Sequence, residues 1–155
     1  MAVRTILTKE RIRSLRLSEP ARVGPDTSLA DTIKAMRMAA IGCAVICEGR
    51  KVIGILTERD ILNTIVGADV DKRLPVKEFM TGKPGTLRPD DSLAEAIRFM
   101  TEKGYRHIPL VDKGGNDAGV VCAKDLIEYI AEHFPAEVVN LPPRLHQVMR
   151  KQEGG

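Results

Sequence analysis

Tryptophan is absent, and aromatic residues make up only 3% of the 155 positions. Any core must therefore be aliphatic. Cysteine occurs three times, at Cys43, Cys47 and Cys122. That is too few, and an odd number, for a disulfide framework. Cys43 and Cys47 lie inside an apolar run rather than at zinc-ligand spacing, so all three read as buried, reduced thiols. Long apolar runs are missing too. The longest stretch without a charged or polar side chain is Met38–Cys47, too short to span a bilayer. The basic opening, residues 1–13, has no secretory apolar segment. A soluble, cytoplasmic chain with no membrane association is expected. No HExxH, P-loop, GxGxxG or Ser/His/Asp set occurs, and His133 and His146 have no partners at ligand or catalytic spacing. Without a nucleophile–base pair or a metal-ligand set, no enzymatic activity, catalytic cofactor or metal is expected.

Charge of one sign is scarce outside the N-terminus. The net charge is +3, but residues 1–22 hold six Arg/Lys against two Glu, leaving residues 23–155 close to neutral. A near-neutral body argues against a nucleic-acid footprint, which needs a basic face with several phosphate contacts. The basic start, an N-terminal extension over residues 1–11, reads as a solvated helix face, with contact to an acidic partner as the alternative. Hydrophobic residues at 43% and charged residues at 29% are ordinary for a globular chain, and this length buries roughly two-thirds of its unfolded surface.

What the chain does have is an internal repeat. Ile12–Glu48 aligns with Val76–Asp112 at an offset of 64, with identities at Pro20/Pro84, Pro25/Pro89, Asp26/Asp90, Ser28/Ser92, Leu29/Leu93, Ala30/Ala94, Ile33/Ile97 and Met36/Met100. One inserted residue in the loop 113–118 moves the offset to 65, so that Gly54 meets Gly119 and Asp60 meets Asp125. Pro-Asp and a serine open a helix in each copy. Leu29, Ile33 and Met36, like Leu93, Ile97 and Met100, form one apolar helical stripe. Two apolar runs around a turn follow, 43–47 and 52–56 in the first copy and 108–111 and 118–122 in the second, reading as hairpins. A second helix then starts near Thr57 or Ala123, and a short extended piece precedes each unit at 21–23 or 85–87. The chain divides into repeat 1 (12–66), a polar linker (67–75), repeat 2 (76–134) and a tail (135–155), a packing arm with a frayed end. The fold class is α+β, two β-α-β-β-α units packed on each other, since neither closes a core alone.

Chemistry concentrates at the strand–helix junctions. In GILTERD (54–60), Thr57 stands at a helix N-cap and Asp60 in the first turn. Free N–H groups there suit an anion, and the carboxylate suits a ribose diol; a bare capping pair explains the same residues equally well. The second junction, GVVCAKD (119–125), keeps Asp125 and places Lys124 opposite Arg59. It has Cys122 where Thr57 stood, a weaker hydrogen-bonding group. In GYRHIPLVD (104–112), Arg106 and His107 precede an apolar strand, and a guanidinium there suits a phosphate; read alone, such a pair at a strand start is more often a surface pair.

The PDxSLxxxIxxM helices, the GYRHIPLVD strand and the two junctions together resemble a tandem pair of CBS (cystathionine beta-synthase) domains, a Bateman module, over residues 12–132. The resemblance implies a regulatory module that binds an adenosine nucleotide (AMP, ADP, ATP, NAD or S-adenosylmethionine) between the repeats and signals through shape or partner affinity. It implies ligand contacts from Thr57, Asp60 and Asp125, with Arg59 and Lys124 alongside. Arg22 and Thr86 before the Pro-Asp helices face the ligand by the same resemblance, Arg106 and His107 take phosphate, and Val23, Ile46 and Ile53 grip adenine. It further implies a homodimer, a flat disc of four repeats, and an unidentified target protein; the striped helix faces, more than one hairpin pair needs, are expected to form that dimer. The alternative is an interaction dimer with no physiological nucleotide.

Overall fold

In the computed structural model, which describes residues 2–135, the repeat becomes two corresponding helix-and-strand units. The tail from residue 136 onward, with His146, lies outside the described residues. In the first unit β1 (Ala21–Val23), α2 (Leu29–Ala39), β2 (Cys43–Glu48) and β3 (Lys51–Thr57) follow one another, and α3 (Glu58–Asp60) runs into a π-type turn, Ile61–Ile65. In the second, α4 (Leu93–Lys103), β5 (His107–Val111), β6 (Asp117–Cys122) and α5 (Ala123–His133) repeat the order. β1 pairs parallel with β2, which pairs antiparallel with β3, and β4 (Thr81–Gly82) adds to β3. β5 and β6 form a separate hairpin, and a parallel bridge from Leu87 to Leu110 echoes the β1–β2 pairing.

The helix starts follow directly from the serines. Ser28 accepts from the Asp31 N–H and Ser92 from the Glu95 N–H, each at 3.1 Å, satisfying a donor that has no partner within the helix. The helices end in left-handed residues, Gly104 (φ 73°) and Ala40 (φ 55°). Glycine accepts that conformation freely; alanine does so at a cost.

The apolar stripes face inward. Leu29 and Met36 are buried with Ala44, Ile46 and Leu56 in one core, and Leu93 with Ile108, Leu110 and Val121 in another. Leu29, Met36 and Leu93 pack on their own sheets, while Ile33, Ile97 and Met100 lie only partly buried against the same cores. The exposed large apolar side chains are instead Met38, Leu62, Val66, Leu74, Tyr105 and Ile127. A third cluster, Cys43, Val45, Ile55, Val120 and Cys122, joins the repeats. Burial pushes the Cys43 thiol up to about 12, so it remains protonated and unreactive.

The leading segment of each repeat crosses to the other. Val76 is fully buried in the first core, and its N–H donates to Thr27 O at 2.7 Å. Ile12 is fully buried in the second core, and its N–H donates to Asp91 O at 2.9 Å. α1 (Val3–Lys9) packs along α4, and Leu7 reaches the second core. The basic residues of this segment, Arg4, Lys9 and Arg11, stay exposed while Leu7 packs inward. Ile12 and Val76 are the residues through which these segments enter the core of the other repeat. Among the described residues no helix is long and apolar enough to cross a membrane.

Candidate functional site

The two repeats meet around a cavity of about 210 Å³. The first repeat supplies Gly42, Ile55, Thr57, Glu58, Arg59 and Asp60. The second supplies Thr81, Pro84, Gly85 and the run from Gly104 to His107, with Pro109. Swapping of the leading segments is what brings Thr81–Gly85, on the way into repeat 2, across the end of β3.

Thr57 ends β3 and Asp60 stands three residues on. The Thr57 N–H and hydroxyl both donate to Asp60 Oδ2 at 3.0 Å, and the Asp60 N–H donates back to Thr57 Oγ1 at 3.2 Å. This is a capping box. The Glu58 N–H donates to Gly42 O at 3.0 Å. Two of the amides at this helix start, those of Glu58 and Asp60, are therefore engaged, and only Glu58–Asp60 is α-helical before the π-type turn. The Glu58 carboxylate also lines the cavity and opposes an anion. Arg106 brings a guanidinium from the second repeat to the same cavity. Among the described residues no hydrogen bond or ion pair engages its guanidinium, while its carbonyl, accepting from the Ala123 N–H at 2.8 Å, fixes the start of β5.

His107 sits beside it, partly buried. Burial holds its imidazole below the usual histidine value; Arg106 acts in the same direction, and Glu58 and Asp125 oppose it. It is mostly neutral at pH 7, able to donate from one ring nitrogen and accept at the other. Gly42 lets Glu58 and His107 converge: a Cβ there would stand 3.1 Å from Glu58 Cδ and 3.3 Å from His107 Cε1. Arg59 donates to Gly104 O at 3.1 Å, tying the two repeats across the cleft. Tyr105 rests on Phe99, ring centroids 5.8 Å apart, and offers a half-exposed aromatic face. Gly85 is needed because a Cβ there would collide with the Phe99 ring.

Five of the residues singled out in the sequence line this cleft: Thr57, Arg59, Asp60, Arg106 and His107. The others do not. Thr86 follows the lining residue Gly85 without joining it. Ile46 is fully buried in the core of the first repeat, and Val23 and Ile53 pack partly buried against it, so none of the three lines the cleft. Arg22 is held by Glu19 at 2.8 Å and by Asp117. Lys124 is exposed and pairs loosely with Glu128 at 3.8 Å. Asp125 is buried, receiving Cys122 N–H at 2.9 Å and Ser18 Oγ at 2.8 Å. Gly42, Glu58, Thr81 and Tyr105 were missed. Tyr105 adjoins the Arg-His pair and carries a ring, which was the one available signal. Among the described residues no group of His, Cys, Asp or Glu is arranged to hold a metal.

With this arrangement on view, comparison with known proteins is informative. The sequence model of the CBS domain matches residues 6–67 and 76–132. The chain belongs to the CBS domain family, as a tandem pair. An uncharacterized 17.7 kDa protein of Acidianus ambivalens is 31% identical over 105 residues, 67% of this chain; the chain spans 63% of that relative's length. Among solved structures, a proposed signal-transduction protein with CBS domains from Burkholderia ambifaria is 30% identical, with a TM-score of 0.69 over 86% of this chain and 96% of that one. A CBS domain protein from Pyrobaculum aerophilum complexed with AMP shares the fold at 21% identity, with a TM-score of 0.69 over 79% of this chain and 98% of that one.

Proposed function

We propose that the chain is a regulatory module that binds one adenosine nucleotide in the cleft between its repeats. The observation that carries this reading is the convergence on one cavity of Thr57 and Asp60 from the first repeat with Arg106 and His107 from the second. Asp60 would exchange part of its capping interactions for a ribose diol. Arg106, with neutral His107 beside it, would take the phosphate, and Ile55, Pro109 and the Tyr105 ring would cover the base. Because the ligand touches both repeats, binding would lock their relative position, the change a partner protein would read. The AMP complex of the Pyrobaculum aerophilum fold relative supports adenosine nucleotides as the first class to test.

Two such chains would pair through the apolar residues left exposed on helical segments, Met38, Leu62, Val66 and Ile127. Sedimentation giving only the 17.0 kDa species at micromolar concentration would refute pairing. A second reading, an interaction module with no physiological nucleotide, is favoured by the mutual capping of Thr57 and Asp60. A thermal-shift panel of AMP, ADP, ATP, NAD and S-adenosylmethionine separates the two. A ligand at 100 times its Kd adds about 2.7 kcal/mol, several degrees for a chain this size. No shift with any member supports the interaction module.

A further inference from the structure

The pseudo-twofold relation between the repeats implies two clefts, and the chain treats them differently. In the aligned copies Leu17 and Ser18 correspond to Thr81 and Gly82. At the first cleft Gly82 presents no side chain, and a Cβ built there would meet nothing within 4 Å; Thr57 and Asp60 stay half-buried beside the cavity. At the second, Ser18 Oγ donates to Asp125 Oδ1 at 2.8 Å, and the Cys122 N–H donates to Oδ2 at 2.9 Å. Asp125 and Cys122 are each only 4% exposed. Leu17 closes over Gly119, its Cδ1 3.6 Å from the position of a Cβ. The segment is clamped from behind by buried Ile12 and by the Arg13 N–H bond to Pro89 O at 2.9 Å, and ahead by buried Ala21 on β1.

A hydroxyl donating to the junction aspartate is the bond that a ribose would make there. We infer that Ser18 is an internal substitute for a ribose hydroxyl: it occupies the second junction, so that the chain takes one nucleotide rather than two. This inference rests on the nucleotide reading of the first cleft. Being tethered, Ser18 meets Asp125 at high effective concentration, and a ribose displacing it would only replace a bond already made. In the aligned columns Gly42 and Cys43 stand where Arg106 and His107 do, so the second junction has no counterpart of the Arg106 guanidinium. It lacks that cation, so once opened it should accept a neutral nucleoside as readily as a phosphorylated one.

The test is a ¹H–¹⁵N NMR titration of the full chain with AMP and with adenosine, alongside calorimetric stoichiometry, for wild type, Ser18→Gly and Ser18→Thr. Wild type should bind one AMP per chain, moving the amides of Thr57 and Asp60 and leaving those of Cys122 and Asp125 in place. Ser18→Gly should let adenosine and AMP move Cys122 and Asp125 alike, and Ser18→Thr, which restores the hydroxyl, should behave as wild type. Two AMP per wild-type chain would overturn the inference whether or not the glycine variant folds. So would a folded Ser18→Gly protein whose Cys122 and Asp125 amides stay still while Thr57 and Asp60 respond. Silence at both junctions in every form would instead overturn the nucleotide reading itself.

Discussion

Arg106→Ala separates phosphate recognition from recognition of the nucleoside. The guanidinium is exposed and unengaged by the described residues, so removing it breaks no internal bond and should leave stability nearly unchanged. A hydrogen bond to a charged partner contributes about 1.5–3 kcal/mol. Exposure to solvent and the nearby Glu58 carboxylate place this bond at the lower end. At 1.4 kcal/mol per tenfold, AMP should lose roughly tenfold in affinity, and the loss should shrink as salt is raised. Adenosine, which has no phosphate, should bind wild type weakly and be indifferent to the change. Isothermal calorimetry on wild type and variant, with both ligands at two salt concentrations, reads all four quantities. Equal losses for AMP and adenosine would mean that Arg106 acts through packing, and the phosphate role would be wrong.

Three further changes test other parts of the structure. Ile12→Ala should cost about 2–5 kcal/mol, since it empties a fully buried position in the second core; a melting temperature lowered by less than 2 °C would mean that the N-terminal segment does not belong to that core. Ala40→Gly should stabilise by about 0.5–1 kcal/mol, because the residue sits at φ 55° and glycine removes the left-handed strain at some entropic cost; a lower denaturation midpoint would contradict this. Because burial lowers the His107 pKa, the unfolded chain binds that proton more readily. His107's contribution is therefore complete above its unfolded value of about 6.5 and is lost as pH falls through the lower folded value. His107→Gln should flatten the acid side of the stability–pH curve, and an unchanged slope would refute the assignment.

Much of the fold could be read from residues acting locally. Ser28 and Ser92 cap the helices they open, and the hairpins fall within a residue of the apolar runs. Long-range choices were less legible. Nothing in the sequence around Ile12 or Val76 says which repeat will bury it, and the swap decides what lines the cleft. Arg22 and Arg106 look alike as isolated cations near strands. Asp117, distant in sequence but adjacent across the hairpin, claims the first, and the second is left facing the cavity. The Ser18/Gly82 difference was visible in the aligned columns, yet it acquires meaning only when Ser18 is seen on Asp125. The helix start at Thr57 suggests an anion site, and only the structure shows that Gly42 O and the capping box engage its Glu58 and Asp60 amides.

Ribose recognition by Asp60 is tested most directly by calorimetric titration of AMP into wild type and Asp60→Asn. Asparagine keeps a side-chain carbonyl to accept from the Thr57 N–H, so the capping box largely survives, and circular dichroism should show an unchanged fold. Wild type should bind one AMP per chain saturably, and the variant should lose most of that affinity. Binding of equal strength in both proteins, or no binding in wild type at millimolar AMP, would contradict nucleotide recognition in this cleft.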